Sequence, residues 1–368
     1  MARQGERRER TFQNVRAFWE AEAAEIGSSP QVTIRDFYFR IHELHTLLPL
    51  VPRHARLLDA GCGTGFGTVA LARRTAYTLG VDYAPTMLAW ANRMLTDPAH
   101  RRRLSRDLSP LWDLPEAGGG RIEFRQADVR TLDLRVPPFD LVSAQRLLIN
   151  LPNPEDQLAA LRRLRGVVRD DGMLVLGETT LQGYARTDAY RARFGLPALE
   201  RHWHNLYLDE DGFDAWRGAG WRVEEVAGFD TYMLLSKVVY PAACGPHRCE
   251  FLSGANAAAM EMACLFRTRG ASAEVGDERL LHLYSERVRR YDPAAAAMVL
   301  RWVARHAREL PDWTGLGHHR LILARPCEKP ARNQRRNRSV SSSQGRRIRH
   351  QSTTGRMWEY RGPRRASG

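Results

Sequence analysis

The segment RLLDAGCGTGFGT, residues 56–68, joins a short apolar run to a dense series of glycines. Leu57, Leu58 and Ala60 do not alternate with polar residues, which is typical of a strand covered on both faces in a parallel sheet. Glycines follow at every second position, and an apolar sequence from Val69 predicts a helix. Because glycine tolerates positive φ angles and lets a ligand approach the backbone, the segment predicts a strand, a binding turn and a helix.

Asp59 lies inside this strand and limits what the turn is expected to bind. A carboxylate repels a phosphate, whereas it suits an ammonium group or a sugar hydroxyl. The G-x-G-x-x-G pattern of dinucleotide sites fails here, because Phe66 and Thr68 stand where its last glycine would be. The phosphate-binding pattern G-x-x-x-x-G-K-[ST] is missing as well. The turn is therefore interpreted as a ligand loop that does not hold a phosphate.

Polar side chains recur at the ends of the following predicted strands. YTLGVDY places Asp82 21 positions after Gly61, near the spacing of about 20 at which a second-strand carboxylate reaches ribose hydroxyls. The next predicted strand, RIEFRQAD, ends at Asp128, and the strand FDLVSA is followed by Gln145. Because ligands of such α/β sheets bind at the carboxyl ends of the strands, these side chains predict a single site.

Together these motifs resemble those of the class I S-adenosylmethionine-dependent methyltransferases. The resemblance covers residues 56–325 and is strongest over 56–180, in LLDAGCGTG, LGVDYAPTML, RQADV, FDLVSAQRLLINL and VVRDDGMLVL. It implies a Rossmann-like α/β fold with a doubly wound, mostly parallel seven-stranded sheet, and S-adenosyl-L-methionine as the cofactor. The runs LINLPNPEDQLAALRRL and HWHNLYLDE resemble a bacterial subgroup that acts on small molecules, without indicating the substrate.

The resemblance also implies roles for individual residues. Asp59 is expected to hold the methionine end through its ammonium group by way of the loop, and Asp82 to bind the ribose hydroxyls. Asp128 is expected to bind the adenine amino group, and Gln145 to line the methionine pocket. The alternative for Asp59 is a buried acid that caps the next helix. The alternative for Asp82 and Asp128 is that they are ordinary acids at strand ends. The expected cofactor-binding residues are Asp59, Gly61, Cys62, Gly63, Gly65, Asp82, Tyr83, Asp128, Val129 and Gln145.

The chemistry asks little of the protein, because methyl transfer from a sulfonium is an in-line displacement that depends mainly on positioning. A base is needed only when the acceptor is a hydroxyl or a protonated amine. His204 is the first candidate, since histidine titrates near neutrality, and Glu178 and His202 follow. A histidine hydrogen-bonded in a cap loop remains the alternative for His204. The side chains considered for recognising an acidic or ring-shaped substrate, or for a purely structural role, are Arg146, Arg186 and Trp203.

The chain divides into four predicted segments. Residues 1–54 form a helical cap, and residues 55–180 form the cofactor-binding core. Residues 181–327 supply the substrate-side cap, a helical insertion and the last strands, of which 319–325 is expected to be antiparallel at the sheet edge. Residues 328–368 carry 12 Lys and Arg against 2 Asp and Glu with few apolar side chains, which predicts a disordered basic tail.

Charge, cysteine content and hydropathy restrict the partners. The net charge is +14, of which the tail contributes +10, so non-specific contact of the tail with nucleic acid stays open beside a merely solvated extension. No metal site is predicted from the five scattered cysteines, although Cys244, His247 and Cys249 raise the question of zinc. No apolar run approaches the roughly 18 residues of a membrane span, and the first residues lack a signal core, so a cytoplasmic protein without membrane contact is expected.

The sequence favours transfer of a methyl group to an oxygen or nitrogen of a small molecule. The first alternative is an RNA or protein methyltransferase that docks through the basic tail, and the second is a cofactor-binding protein without activity. The fourth strand ends in SAQR rather than in an N-P-P-Y-type motif, and no Pro-Cys nucleophile follows, which disfavours a DNA base methyltransferase. The acceptor, the atom methylated and the oligomeric state are left open.

Overall fold

The computed structural model describes residues 9–99, 102, 120–245, 254–268, 278–310, 315–327 and 350–351. One sheet runs through the described chain in the order β3-β2-β1-β4-β5-β7-β6-β8. Neighbours among β1 to β5 are parallel, and β7 is antiparallel to both β5 and β6, which confirms the mostly parallel seven-stranded fold. The strands are β1 (Ala55–Ala60), β2 (Thr75–Asp82), β3 (Arg121–Gln126), β4 (Phe139–Gln145), β5 (Val168–Thr179), β6 (Trp221–Gly228), β7 (His319–Pro326) and the two-residue β8 (His350–Gln351).

Helices cover both faces of this sheet. They are α1 (Phe12–Ile26), α2 (Phe37–Leu47), α3 (Phe66–Leu71), α4 (Pro85–Thr96), α5 (Pro154–Val167), α6 (Leu181–Ala192), α7 (Asp230–Leu234), α8 (Tyr240–Cys244), α9 (Gly254–Thr268), α10 (Glu278–Arg289) and α11 (Pro293–His306). A π-helical turn, Leu235–Val239, joins α7 to α8. Short 3₁₀ segments are Pro30–Val32, Leu48–Leu50, Ala72–Arg74, Val129–Thr131, Leu148–Asn150, Glu210–Ala219 and Ala307–Glu309.

Local sequence signals begin several of these helices. The Thr11 hydroxyl accepts the N–H of Asn14 at the start of α1, and the Asp36 carboxylate accepts the N–H of Phe39 at the start of α2. Asn153 caps α5, which has a proline at its first position. These side chains satisfy N–H groups that the first helical turn leaves without partners.

Successive residues of the central strands pack into different cores, because side chains alternate across a sheet. On one face, Leu57 joins a cluster with α2 and the helical insertion that begins at α7. On the other face, Leu58 and Val142 pack with Leu161 of α5 and with Trp216. Two apolar faces explain why β1 reads as a continuous apolar run.

Strand β7 differs from the prediction in its position. The antiparallel direction is confirmed, but the strand lies between β5 and β6 instead of at the sheet edge. Leu321 and Ile322 are both fully buried, in clusters on opposite faces of the sheet. An edge strand does not need apolar residues on both faces, so the run LILA indicates an inner position.

Two predicted features lie partly outside the described residues. Of the tail, the structure describes residues 350–351, which pair in parallel with Val226 and Ala227. Cys244 is buried in α8, whereas His247 and Cys249 lie outside the described residues. Within the described chain no group of histidine, cysteine and acidic side chains is arranged to hold a metal ion. The helices of this described part include none long and apolar enough to cross a membrane.

Candidate active site

The glycine turn after β1 adopts the backbone conformation that its sequence predicts. Gly61, Gly63 and Gly65 have φ angles of 73°, 54° and 80°, in the left-handed region that favours glycine. Gly61 and Gly63 expose their backbone to a cavity at the carboxyl ends of the strands. Gly65 has a packing role instead, since a Cβ there would lie 2.7 Å from the ring of Phe124.

Most of the predicted cofactor residues converge on this first cavity. Strand β1 is flanked by β2 and β4, so the turn lies at the point where the strand order reverses, the usual binding crevice of such sheets. Seven predicted positions line the cavity, namely Gly61, Gly63, Asp82, Tyr83, Asp128, Val129 and Gln145.

Asp82 links the end of β2 to the glycine turn. Its Oδ2 accepts the N–H of Gly63 at 2.9 Å, and its Oδ1 accepts the N–H of Ala84 at 2.9 Å. Burial raises the pKa of Asp82 to about 6, against the backbone hydrogen bonds, which lower it. At neutral pH the side chain is therefore a carboxylate with lone pairs left for hydroxyl donors in the cavity.

Asp128 lines the first cavity and is paired with Arg130. Arg130 donates from Nη2 to Oδ2 of Asp128 at 2.6 Å, and its guanidinium lies 3.5 Å from the ring centroid of Phe12 in α1. Burial acts to raise the pKa of Asp128, but the hydrogen bonds and charge of Arg130 outweigh it and hold the pKa below its usual value. Asp128 is thus a fixed anion in the wall of the first cavity.

Two polar atoms in the cavity wall fit the cofactor that the sequence implies. The Oε1 of Gln145 and the hydroxyl of Tyr83 are buried, and neither has a hydrogen-bond partner among the residues that the structure describes. Gln145 is held by its own Nε2, which donates to Ser143 Oγ at 2.9 Å, so its free carbonyl is oriented. Buried polar groups are normally paired, so a ligand with donors and acceptors suits these positions.

The remaining predicted cofactor residues support the turn from beneath. Asp59 is buried and accepts the Thr68 hydroxyl at 2.6 Å, which ties β1 to α3 under the glycine loop. Burial raises the pKa of Asp59 to about 6, and the hydrogen bond from Thr68 opposes this rise. Cys62 is also buried, and burial raises the pKa of its thiol well above the usual value. These residues shape the loop, while Gly61 and Gly63 line the cavity.

A second cavity adjoins the first. Trp19, Thr33, Arg146 and Asn150 line both cavities and form their common boundary. Trp19 Nε1 donates to Asn150 Oδ1 at 3.1 Å, which fixes helix α1 across this boundary. The other side chains around the second cavity include the aromatic Phe18, Phe39 and Tyr184 and the histidines 202, 204, 318 and 319.

His204 lies in the wall of the second cavity, as a residue that contacts the acceptor would. Its ring stacks on Phe18 with centroids 4.3 Å apart, and His202 stacks beyond it at 5.5 Å. Burial, with a smaller contribution from His202, lowers the pKa of His204 to about 3, so the imidazole is neutral at physiological pH. Its buried Nδ1 has no partner within the described part of the chain.

Glu178 differs from the expected second base, because it lies beneath the loop that follows β4. Its carboxylate accepts the N–H groups of Leu147 at 2.9 Å, Leu148 at 2.8 Å and Ile149 at 3.3 Å. The side chain is fully buried, and burial raises its pKa to about 8 despite these hydrogen bonds. This geometry positions the loop that carries Arg146 and Asn150.

The sequence interpretation missed the contribution of helix α1 to both cavities. Phe12 and Trp19 line the first cavity, and Phe18 and Trp19 line the second. The sequence predicted a helical cap over residues 1–54 but not which of its aromatic side chains line a cavity. Of the three candidates for substrate recognition, Arg146 lines both cavities, whereas Arg186 donates to the carbonyl of Gly315. Trp203 packs edge-on against Phe18.

Comparisons with known proteins agree with this geometry. The sequence model of the methyltransferase domain family matches residues 58–176. Trans-aconitate 2-methyltransferase of Streptomyces avermitilis is 35% identical over 121 residues, which cover 32% of this chain and 38% of that enzyme, less than half its length. Phosphatidylethanolamine N-methyltransferase of Cereibacter sphaeroides is 30% identical over 159 residues, which cover 40% of this chain and 68% of that enzyme.

Among solved structures, magnesium protoporphyrin IX methyltransferase from Synechocystis PCC 6803, with bound S-adenosylhomocysteine, aligns with a TM-score of 0.41 and 19% identity. The alignment covers 59% of this chain and 92% of that one. The family match falls on β1 to β5, the strands whose carboxyl ends build the first cavity. The chain belongs to the class I S-adenosylmethionine-dependent methyltransferases, and S-adenosylmethionine is its cofactor.

Proposed function

We propose that the protein transfers the methyl group of S-adenosylmethionine to an oxygen or nitrogen of a small molecule held in the second cavity. The observation that carries this proposal is the common boundary of the two cavities at Trp19, Thr33, Arg146 and Asn150. A ligand in the first cavity and an acceptor in the second would meet there. Displacement requires such contact between nucleophile and methyl carbon.

The bound cofactor supplies an electrophilic methyl group on a sulfonium, and the residues of the chain position it. Gly61 and Gly63 present backbone to it, and Asp82 accepts hydrogen bonds from its ribose hydroxyls. Asp128 accepts from its adenine amino group, and Gln145 Oε1 accepts a donor from its amino acid end. These roles agree with the positions of the five residues in the cavity wall.

His204 is proposed as the group that receives the acceptor's proton. Its neutral Nδ1 can accept a hydrogen bond from a hydroxyl or amine and orient its lone pair. The low pKa of His204 makes it a weak base. A weak base suffices, because the proton on the acceptor becomes strongly acidic as the new bond to carbon forms. Glu178 then acts as a positioning residue, through the loop that it holds with three backbone hydrogen bonds.

The aromatic side chains of helix α1 that line both cavities favour a small acceptor over RNA or protein. Arg10 donates to the carbonyls of Pro152 at 3.2 Å and Asn205 at 2.9 Å, which ties the start of α1 to two loops. The matched relatives are named for trans-aconitate and phosphatidylethanolamine, which are also not macromolecules.

A labelled-methyl transfer screen tests the proposal. The full chain is incubated with methyl-labelled S-adenosylmethionine and, separately, with hydroxy acids, phenols, amines, total RNA and a protein mixture. The proposal predicts label in low-molecular-mass products. Label confined to RNA or protein, and lost together with salt-sensitive RNA binding when residues 328–368 are removed, would favour docking through the basic tail instead.

A further inference from the structure

Arg146 occupies an unusual position at the boundary of the two cavities. It follows β4 directly and has a φ angle of 54°, a conformation that is costly for a residue with a side chain. Its N–H donates to the carbonyl of Gly177 at 2.7 Å, and its own carbonyl accepts Nδ2 of Asn150 at 2.5 Å. The surroundings therefore hold the backbone in this conformation. Backbone strain of this kind is concentrated at functional sites, which directs attention to the side chain.

The side chain of Arg146 shares its counter-ion with a second arginine. Its Nη1 lies 2.8 Å from Oε1 of Glu43, while Nη1 of Arg40 lies 2.5 Å from Oε2 of the same carboxylate. Glu43 reaches this position because Gly177 has no side chain, since a Cβ there would lie 2.6 Å from Oε1 of Glu43. One buried carboxylate therefore serves two guanidinium groups.

Two other cationic side chains around the second cavity do not share a counter-ion. Arg35 pairs with Glu22 at 2.5 Å, and Lys237 pairs with Asp36 at 2.8 Å, so each has its own carboxylate. Burial lowers the pKa values of His204, His318 and His319 below the physiological range. These three histidines are therefore neutral and add no charge to the cavity. At the cavity boundary, by contrast, Arg146 shares the carboxylate of Glu43 with Arg40.

One donor of Arg146 is left without a protein acceptor. The side chain is 9% exposed, and its buried Nε has no hydrogen-bond partner in the ranges that the structure describes. A buried N–H without a partner is destabilising, and a carboxylate is the acceptor that guanidinium donors bind most strongly. The adjoining wall of the second cavity is aromatic, with Phe18, Phe39 and Tyr184, which suits a planar apolar body next to that carboxylate.

We propose that Arg146 binds a carboxylate of the methyl acceptor at the boundary between the two cavities, so that the enzyme selects planar carboxylic acids. The proposal rests on the proposed function, because it assigns the second cavity to the acceptor. A carboxylate could also come from the amino acid end of the cofactor. If the carboxylate belongs to the acceptor, replacing Arg146 weakens binding of the acceptor. If it belongs to the cofactor, the replacement weakens binding of the cofactor.

Calorimetry with 2-naphthoate and its neutral counterpart 2-naphthamide tests the proposal, on the full chain saturated with S-adenosylhomocysteine. The wild-type protein is expected to bind the acid at least about tenfold more tightly than the amide, as a charge-assisted hydrogen bond would provide. Arg146→Gln should abolish that preference and change the affinity for S-adenosylhomocysteine less than about threefold. Arg35→Gln, which removes a cation from the same cavity, should keep the preference.

Several results would overturn this assignment. The proposal is contradicted if the wild-type protein binds the acid and the amide with equal affinity, or binds neither. This test needs no variant, so it holds even if Arg146→Gln misfolds. A preference that survives in a folded Arg146→Gln protein also contradicts it. Loss of S-adenosylhomocysteine affinity with an unchanged acid preference would assign Arg146 to the cofactor carboxylate. Absence of S-adenosylhomocysteine binding by the wild-type protein would instead count against the proposed function itself.

Discussion

The N–H of Gly63 donates to Oδ2 of Asp82 at 2.9 Å, so the glycine turn after β1 and the acid at the end of β2 form one unit. Both residues line the first cavity. The hydrogen bond leaves Asp82 with lone pairs directed at the ligand while it fixes the turn. Under the proposed function, the carboxylate acts on the cofactor twice, by direct contact and through the backbone of the loop.

Asp82→Asn should weaken cofactor binding about 10- to 100-fold, because it removes the charge from hydrogen bonds worth roughly 1.5–3 kcal/mol. The measurement is the rise in melting temperature that S-adenosylhomocysteine produces, since a ligand stabilises the folded state by RT ln(1 + [L]/Kd) and so stabilises it more when it binds more tightly. The variant should show a much smaller rise than the wild-type protein at equal ligand concentration. An equal rise in both would contradict a direct role for Asp82.

Cofactor affinity should depend on pH through the same carboxyl group. Because burial raises the pKa of Asp82 to about 6, the ionised form that accepts hydroxyl donors is complete above about pH 7 and is lost below pH 6. The dissociation constant of S-adenosylhomocysteine should be constant from pH 7 to 8 and rise as the pH falls to 5. Asp82→Asn should flatten this profile, apart from the part that Asp59 contributes with its similar pKa. A wild-type profile that is flat down to pH 5 would contradict the prediction.

His204→Ala should lower turnover by roughly 100-fold or more, the usual contribution of a positioned proton acceptor, and leave cofactor affinity nearly unchanged. The matched control is His202→Ala, because His202 lines the same cavity and stacks on His204. The assay uses an acceptor identified in the methyl-transfer screen. Since burial lowers the pKa of His204 to about 3, its protonation should not reduce turnover between pH 8 and 5. If His204→Ala turns over as fast as the wild-type protein, His204 is not the proton acceptor and its role is in packing.

Glu178→Gln should destabilise the fold by about 1–3 kcal/mol at pH 5.5, because an amide nitrogen would face backbone N–H groups. Burial raises the pKa of Glu178 to about 8, so the stability that its protonated form contributes is present below about pH 4.5 and is lost as the pH rises through 8. As the pH rises, the difference in free energy of unfolding between the wild-type protein and the variant should therefore shrink by up to about 1.4 kcal/mol per pH unit. Urea unfolding of both proteins at pH 5.5 and 8.5 measures this difference, and an advantage that is the same at both pH values would refute it.

The sequence predicts the cofactor side of this site far better than the acceptor side. Asp82 and Asp128 follow strands whose ends must meet, so spacing along the chain is enough to bring them together. Spacing alone does not predict the role of Asp59. Its position in the strand does not reveal whether the side chain points at the ligand or at Thr68.

The acceptor side depends on contacts between distant segments that no local pattern reports. Trp19 meets Asn150 across 131 positions, and Glu43 meets Arg146 across 103. Glu178 ends an apolar strand in the sequence as a catalytic carboxylate would, and its burial beneath the following loop becomes visible only in the fold. Strand β7 is a similar case, because its inner position is set by the return of the chain after a long helical insertion.

The central claim is that the glycine turn, Asp82, Asp128 and Gln145 form a single cofactor site. Isothermal titration of the full chain with S-adenosylhomocysteine at pH 7.5 tests it most directly. The expected result is saturable binding of one ligand per chain, weakened by Asp82→Asn and unaffected by His202→Ala, a change in the second cavity. Absence of binding by the folded wild-type protein, or an affinity that Asp82→Asn leaves unchanged, would contradict the claim.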